Sequence, residues 1–426
     1  FWTPENDVLQ RQIEFVDDDV TFEQIWDSSQ KKDCVNWILK NNFTKVCLQF
    51  PDNYLSHSTK IEGDLKEECK SSRLFILADT SYGSCCVDEI AAAHVDADAL
   101  VHFGNACLSK TTRLPVFYVF PRLPFDIEKF DAKFQNLIKE KTYGALRVFF
   151  DIGYQYALGA AGEKYKNVDN ILFEKYPDKN FDNKIKEDDE QNLCVFVGRG
   201  NQTFFNLSMS LKAKEWHIYD PSKDELVAKD AVAANWIRRR YYYIETVKDA
   251  QAIGLVIATL TTDGYLEIVK HLQALARTHN IRTYIISIGR INPAKLANFM
   301  EIDCYVLIGC PFNNIYTSRD FYKPIVSVFE AEIALNPAWR TKFPELYVTD
   351  FRDILPEGKM HQKIEGFAEG SADVSLITGR VRNGHQNEVE NSDSNSLMER
   401  KNYQIMEQIG GGALENRSWR GLEQNL

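Results

Sequence analysis

Short apolar runs that alternate with helical segments constrain the fold of this chain more than any other feature. Four such runs lie in the first part of the sequence, at residues 46–50, 74–78, 99–103 and 116–119. Several end at a glycine or an aspartate, and a helical segment (VDEIAAAHV) separates two of them. Buried strands that alternate with helices indicate βαβ units and a parallel sheet.

The same pattern recurs twice further along the chain. The middle region contains predicted strands at residues 146–150, 194–197 and 217–219. The third region contains predicted strands at 253–260, 283–289, 304–309 and 324–328, and predicted helices at 264–277 and 291–299. A length of 426 residues allows roughly two to four domains, so three α/β units fit the chain.

Two segments of the sequence resemble each other, DADALVHFGNACL (96–108) and EIDCYVLIGCPF (301–312). Each contains an acidic residue, an apolar strand, a glycine and then a cysteine, which indicates internal repetition. We therefore predict an α/β fold of three Rossmann-like parallel-sheet domains around a shared centre. The predicted bounds are an N-terminal extension (1–40), three domains (41–140, 141–248 and 249–358) and a flexible C-terminal tail with a docking motif (359–426). Residues 177–192 are polar and acidic and are predicted to form a loop, while 384–401 lack the apolar content of a core and are predicted to be disordered.

The chain has nine cysteines, and the motif SYGSCC places two of them between a predicted strand and a predicted helix. Ligands of α/β sheets bind beyond the carboxyl ends of strands, and a helix N-terminus stabilises a thiolate. Adjacent cysteines point in different directions in most backbone geometries. One of the pair is therefore expected to be a ligand, and we favour Cys86 because it sits at the helix start, with Cys85 as the alternative.

Cys107 and Cys310 follow two further predicted strands in equivalent positions, in HFGNAC and IGCPF. The sequence has no CxxC and no HxxxH, so a local zinc site is not predicted. Thiolates that converge from distant segments suit a 4Fe–4S cluster, and three ligands would leave one iron open to a small chelating molecule. The predicted metal ligands are thus Cys86, Cys107 and Cys310.

The other cysteines lie in or beside apolar runs and are predicted to be buried and structural: Cys34, Cys47, Cys69, Cys194 and Cys304. The histidines show no metal-binding spacing. His102 is the one near a candidate ligand, and we expect it to be a core residue rather than a catalyst.

The net charge of −11 argues against a general nucleic-acid binder, which would have a basic face. The sequence has no apolar run of the roughly 18–20 residues that cross a bilayer, and its first residues do not have the pattern of a signal peptide. Together with the odd number of cysteines, these features predict a cytoplasmic protein with reduced thiols.

The string ADTSYGSCCVDEIAAAHVDADALVHFGNACLS (78–109) resembles the diphthamide biosynthesis protein 1 and 2 family, and so do IGCPFN (308–313) and RSWRGLE (417–423). The resemblance implies three domains around a cysteine-bound 4Fe–4S cluster. It implies an enzyme that transfers the 3-amino-3-carboxypropyl group of S-adenosylmethionine to a histidine of translation elongation factor 2, the first step of diphthamide formation. The implied partners are the protein 1 paralogue in a heterodimer, a small electron-donating protein, and elongation factor 2 as substrate.

One departure from the family pattern affects the expected role of the chain. The catalytic paralogue has a cluster cysteine after the first strand of its middle domain, whereas here CVFVG runs into Arg199. The corresponding position is Gly198 or Arg199, and Cys194 lies too early. The resemblance therefore implies an accessory subunit that stabilises the catalytic paralogue and keeps its cluster reduced. The alternatives are a subunit that itself cleaves S-adenosylmethionine, a dehydratase or synthase similar to quinolinate synthase, and a scaffold without metal.

Overall fold

The structure is a computed structural model, and most of the chain between residues 20 and 382 is described by it. The described ranges are 20–77, 84–111, 113–168, 170–178, 191–211, 213–229, 234–289, 291–313, 321–339, 342–344, 347–364, 373–379 and 381–382. The chain divides into two compact units, of which the larger (Phe1–Gly366 with Ser375–Gly379) contains three sheets built mainly of parallel strands; the sheets, each with its helices, are here called lobes 1 to 3. The prediction of three parallel-sheet domains is therefore confirmed.

Lobe 1 has a four-stranded sheet in which all neighbouring strands are parallel. Its elements in chain order are α1 (Phe22–Ile25), α2 (Ser28–Lys40), β1 (Lys45–Gln49), α3 (Leu55–Glu68), β2 (Arg73–Leu77), α4 (Glu89–Ala93), β3 (Ala99–Phe103) and β4 (Val116–Val119). The strand order is β2-β1-β3-β4, so β1 is central. Apolar residues of α2 and α3 cover one face of the sheet, including Cys34 and Ile61. Helix α2, which lies within the predicted N-terminal extension (1–40), thus contributes to the core of this lobe.

Lobe 2 has five strands, of which the last is antiparallel to its neighbour. Its elements are α5 (Ile127–Glu140), β5 (Leu146–Phe150), α6 (Leu158–Lys164), β6 (Ile171–Lys175), β7 (Leu193–Val197), α7 (Gln202–Ser210), β8 (Glu215–Asp220) and β9 (Glu225–Ala228). The order is β6-β5-β7-β8-β9. Helix α5 packs Phe130, Phe134 and Leu137 into the core of this sheet, although the sequence analysis assigned these residues to the first domain.

Lobe 3 repeats the four-stranded parallel arrangement. Its elements are α8 (Ala234–Asp249), β10 (Ala252–Ile257), α9 (Tyr265–Thr278), β11 (Arg282–Ser287), α10 (Pro293–Leu296), β12 (Cys304–Ile308), β13 (Ile325–Ser327) and α11 (Val328–Leu335). The order is β11-β10-β12-β13. Helix α11 is buried along its whole length, and α8 contributes Ile244 and Val247 to the same core.

The common strand order makes β3, β7 and β12 equivalent, because each lies next to the first strand of its lobe on the same side. Carboxyl ends of parallel strands meet at one edge of a sheet, which is where α/β proteins place their ligands. Cys107 follows β3 and Cys310 follows β12, whereas Gly198 follows β7. This topology brings candidate ligands from two lobes, but not from lobe 2, toward a shared site.

The smaller unit contains one short antiparallel pair, β14 (Asp373–Val374) with β15 (Val381–Arg382). The segment 384–401, predicted to be disordered, and the segment 417–423, part of the predicted docking motif, lie outside the described residues. Most of the predicted loop 177–192 does so as well. Among the helices of the described residues, none is both long enough and apolar enough to cross a bilayer.

Candidate metal centre

Four cysteines from lobes 1 and 3 come together at the carboxyl ends of the strands: Cys85, Cys86, Cys107 and Cys310. All four sulfur atoms lie within 4.8 Å of one another. The Sγ–Sγ distance is 3.4 Å between Cys85 and Cys310, and 3.9 Å from Cys86 to both Cys85 and Cys107. In the ranges that the structure describes, no other group of three or more potential metal ligands is found.

The structure thus brings together the three cysteines named from the sequence and adds Cys85 to them. From the sequence, Cys85 and Cys86 are alternatives, because adjacent side chains diverge in a strand and are separated by about 100° in a helix. Residues 84–86 instead form a turn and bend before α4 begins, and there both thiols face the same site. Cys86 and Cys310 are buried, and Cys85 and Cys107 are partly exposed.

A buried glutamine fixes the turn that carries Cys85 and Cys86. Gln49 ends the central strand β1 and is only 1% exposed. Its Nε2 donates to the carbonyl of Cys86 at 2.8 Å, and its Oε1 accepts from the backbone N–H of Asp88 at 3.0 Å. Asp88 in turn caps α4 by accepting from Ala91 N–H at 2.8 Å. Gln49 therefore ties the turn to the central strand of lobe 1, a role that could not be recognised from the sequence.

The segment that carries Cys107 is attached both to this turn and to the sheet. The backbone N–H of Cys107 donates to the carbonyl of Cys85 at 3.0 Å. His102 Nε2 donates to the carbonyl of Asn105 at 3.0 Å, while Nδ1 has no hydrogen-bond partner among the described residues. Glu89 Oε1 holds the end of the segment by accepting from the N–H groups of Arg113 and Leu114 at 2.7 and 3.0 Å.

His102 is fully buried at the end of β3, and burial lowers its pKa. A neutral imidazole with its proton on Nε2 fits the observed hydrogen bond. The residue is therefore part of the core, as the sequence analysis expected, but it also supports the Cys107 segment.

Four thiols at this spacing interact strongly with one another. Hydrogen bonds from Cys310, Cys85 and Cys86 lower the pKa of Cys107 well below its usual range. Hydrogen bonds with Cys107 raise the pKa of both Cys86 and Cys310. One thiolate can thus be stabilised by its protonated neighbours, but four adjacent thiolates in this largely buried site require a cation between them. An all-thiolate donor set selects soft metals, either zinc or an iron–sulfur cluster.

Local packing disfavours a cysteine at Gly198, one of the two equivalent positions at the strand end of lobe 2. A Cβ atom there would lie 2.8 Å from Cε1 of Phe196 and 2.9 Å from Cβ of Asp151. Cys194 lies within β7, and its side chain packs in an apolar cluster of lobe 2. The absence of a ligand at Gly198 is therefore a consequence of local packing.

The five cysteines outside the four-cysteine group are buried in the apolar cores. They are Cys34, Cys47, Cys69, Cys194 and Cys304. Burial raises the pKa of Cys47 to about 11 and that of Cys304 to about 12. Such thiols stay protonated and unreactive at neutral pH.

Comparisons with known proteins agree with this fold. The model of the diphthamide synthesis protein family matches residues 50–344. A relative from Xenopus laevis called 2-(3-amino-3-carboxypropyl)histidine synthase subunit 2 is 36% identical over 92% of this chain and 86% of its own length. Relatives of the same name from Gallus gallus and Schizosaccharomyces pombe are 34% and 33% identical, and the alignments cover 92% and 91% of this chain and 86% and 84% of theirs.

A solved structure has the same fold. The crystal structure of Dph2 from Pyrococcus horikoshii with a 4Fe–4S cluster aligns with a TM-score of 0.58 and 20% identity, over 75% of this chain and 92% of that one. The family match spans more than half of the chain, and the curated relatives align along most of their length. The chain therefore belongs to the diphthamide synthesis protein family.

Proposed function

We propose that this chain is the accessory subunit of a heterodimeric enzyme that modifies translation elongation factor 2 in the cytoplasm. The enzyme would transfer the 3-amino-3-carboxypropyl group of S-adenosylmethionine to a histidine of that factor, the first step of diphthamide biosynthesis. The observation that carries the proposal is the group of four cysteine sulfurs within 4.8 Å. It is supported by the name that the relatives bear, which specifies subunit 2 of a histidine synthase.

The ligands that we propose for a 4Fe–4S cluster are Cys86, Cys107 and Cys310, with Cys85 as the fourth. The donor set fits the group, because cysteine thiolates are the usual ligands of such clusters and the related Dph2 structure contains one. Four thiolates leave no iron free to bind a substrate. When bound, the cluster would supply one-electron transfer, which suits a subunit that reduces its partner better than one that cleaves S-adenosylmethionine.

The residues of this chain would hold and shield the group. Gln49 and His102 fix the two cysteine segments of lobe 1, and both are almost completely buried. Hydrogen bonds near the ligands and the burial of a cluster both tune its reduction potential. The catalytic paralogue would bind the other substrates, and a small electron-donating protein would reduce the pair.

The sulfur spacing also favours a second candidate, a single structural metal ion. Thiolates 2.3 Å from a tetrahedral zinc lie about 3.8 Å apart, close to two of the distances here. A 4Fe–4S cube would hold the sulfurs farther apart, so the side chains would have to rotate outward. The two candidates differ in the metal that they bind.

Anaerobic purification followed by metal analysis distinguishes these candidates. The proposal predicts a brown protein with about four irons and four sulfides per chain, whereas the second candidate predicts about one zinc and no sulfide. Cys310→Ala should lose most of the iron, and Cys304→Ala is the matched control because this buried thiol of the same lobe lies outside the group. Iron retained in full by Cys310→Ala would refute the ligand assignment.

The accessory role needs a separate test with S-adenosylmethionine. Each subunit alone is mixed with dithionite and labelled S-adenosylmethionine, and the cleavage product is measured. Turnover by this chain alone would refute the accessory role. Cys85→Ala should open one iron, so that S-adenosylmethionine changes the electron paramagnetic resonance spectrum of this variant. A similar change in the wild-type spectrum would contradict ligation by four thiolates.

A further inference from the structure

Lobe 2 contributes no thiol to the metal centre, yet it is hydrogen-bonded to the segment that carries Cys310. Asn206 lies on α7 of lobe 2 and is fully buried. Its Nδ2 donates to the carbonyl of Pro311 at 2.8 Å. Pro311 directly follows Cys310, so this bond fixes the backbone next to a proposed ligand from a neighbouring lobe.

The amide of Asn206 is oriented by its own helix. Its Oδ1 accepts from Nε2 of Gln202, one turn earlier, at 2.9 Å. Because an amide has one acceptor end and one donor end, this bond turns the Nδ2 group toward lobe 3. Asn201 caps the same helix by accepting from the N–H of Phe204 at 3.1 Å. The direction of the Nδ2 donor is thus fixed by contacts within lobe 2.

An apolar contact strengthens the connection between the two lobes. Phe312 packs against the cluster of lobe 2 that contains Phe196, Phe204 and Leu207. The two residues after Cys310 are therefore both anchored on lobe 2, one through its carbonyl and one through its ring. A segment held at two points has few conformations, which favours a defined direction for the Cys310 side chain.

The cysteine segments of lobe 1 are held in a similar way. Gln49 donates to the carbonyl of Cys86, and His102 donates to the carbonyl of Asn105, two residues before Cys107. In all three cases a buried side chain donates a hydrogen bond to a main-chain carbonyl within two residues of a cysteine. None of these contacts involves a charged side chain, so they orient the thiols without adding a charge next to the metal.

We infer that Asn206 is a positioning residue for Cys310, and that lobe 2 takes part in the metal centre through this hydrogen bond. The inference rests on the proposed function only for its effect on bound metal. Asn206→Leu keeps the number and branching of the side-chain heavy atoms and removes the donor. Asn206→Asp keeps the shape and the acceptor but cannot donate from an ionised carboxylate. Ser208→Ala is the control, because Ser208 is a buried residue of the same helix whose hydroxyl bonds locally to the carbonyl of Phe205.

The first measurement uses metal-free protein, so that it does not depend on a cluster. Iodoacetamide labelling of Cys310 is followed by mass spectrometry, with the buried Cys304 as internal reference. Loss of one hydrogen bond should speed Cys310 labelling about three- to tenfold in both Asn206 variants and leave Cys304 labelling unchanged. Ser208→Ala should label Cys310 at the wild-type rate.

The second measurement uses anaerobically reconstituted protein. Iron release to a chelator should be faster, and the electron paramagnetic resonance signal broader, in the Asn206 variants than in Ser208→Ala. Unchanged Cys310 labelling, or equal acceleration at Cys304, would overturn the inference, and if Asn206→Leu fails to fold, Asn206→Asp decides by the same criteria. If no form of the protein retains iron, the proposed function fails, while the labelling experiment still tests the role of Asn206.

Discussion

The buried ion pair between Arg240 and Glu330 provides a quantitative test of how lobe 3 is held together. Arg240 on α8 and Glu330 on α11 are 1% and 0% exposed, and Nη1 lies 2.8 Å from Oε1. Glu330 also accepts from the N–H of Ser327 at 2.7 Å through its other oxygen. The guanidinium has no further hydrogen bond from Nε or Nη2 among the described residues, and it lies over the rings of Trp236 and Tyr243.

Glu330→Gln should destabilise lobe 3 strongly, because it leaves the Arg240 cation buried without an anion. Removal of one partner from a buried pair costs about 3–5 kcal/mol. Arg240→Met should cost less than this, since Glu330 keeps its bond from Ser327. The double variant has no buried charge, and apolar replacement of both partners is often nearly neutral. It should therefore be more stable than Glu330→Gln alone.

Hydrogen exchange of the α11 amides measures the opening of this lobe without assuming that the whole chain unfolds in one step. A loss of about 3–5 kcal/mol corresponds to exchange that is roughly a hundredfold to several thousandfold faster. Exchange of the lobe 1 strands should stay near the wild-type rate, which provides the internal control. A double variant as unstable as the sum of the two single variants would refute the reasoning, because the residues would then act independently.

Three further predictions concern other parts of the chain. Gln49→Leu removes both hydrogen bonds from this side chain to the cysteine turn. We expect a lower iron content and a shifted midpoint potential in a redox titration. Unchanged values would contradict a supporting role for this amide. Burial raises the pKa of Asp151 to about 6. The folded state therefore binds its proton more tightly than the unfolded state, and the free energy of unfolding should fall by at most about 3 kcal/mol as pH rises from about 4 to about 6. Urea titrations across this range should show less of this fall in Asp151→Asn, and identical pH profiles would contradict the shift. Gly254→Ala would place a Cβ 2.7 Å from the ring of Tyr305 and should lower the free energy of unfolding by about 1–3 kcal/mol in the same assay. At Gly63 an added Cβ meets no atom within 4 Å, so Gly63→Ala should stabilise its helix by up to about 1 kcal/mol.

The positions of most strands could be predicted because parallel strands covered on both faces are continuous apolar runs. Strands β3, β4 and β5 have the predicted bounds, and β12 differs by one residue. Strands β6 and β9 were missed because they lie at the edges of their sheet, where most of their residues are charged or at least partly exposed. The predicted boundaries place α5 and most of α8 with the preceding domain, whereas their apolar residues pack in lobes 2 and 3. An amphipathic pattern does not show which sheet the apolar face covers.

The candidate site could be predicted in part. Cys86, Cys107 and Cys310 could be selected because each follows a strand, and the strand order brings these ends together. The inward direction of Cys85 depends on the conformation of a turn that has no sequence signature. Gln49 and Asn206 could not be identified, because a single polar residue in a strand or helix has no spacing that indicates its partner.

The origin of the four thiols in two distant parts of the chain also affects how the site is made during synthesis. Cys310 lies 203 residues after Cys107 (310 − 107). At translation rates of 5–20 residues per second, roughly 10–40 s pass between the synthesis of these two residues. During that interval a nascent chain carries three thiols without the fourth, so a metal that arrives then meets an incomplete set of ligands. Loading of the complete site must therefore follow the synthesis of lobe 3, which makes metal insertion a late step in the maturation of this protein.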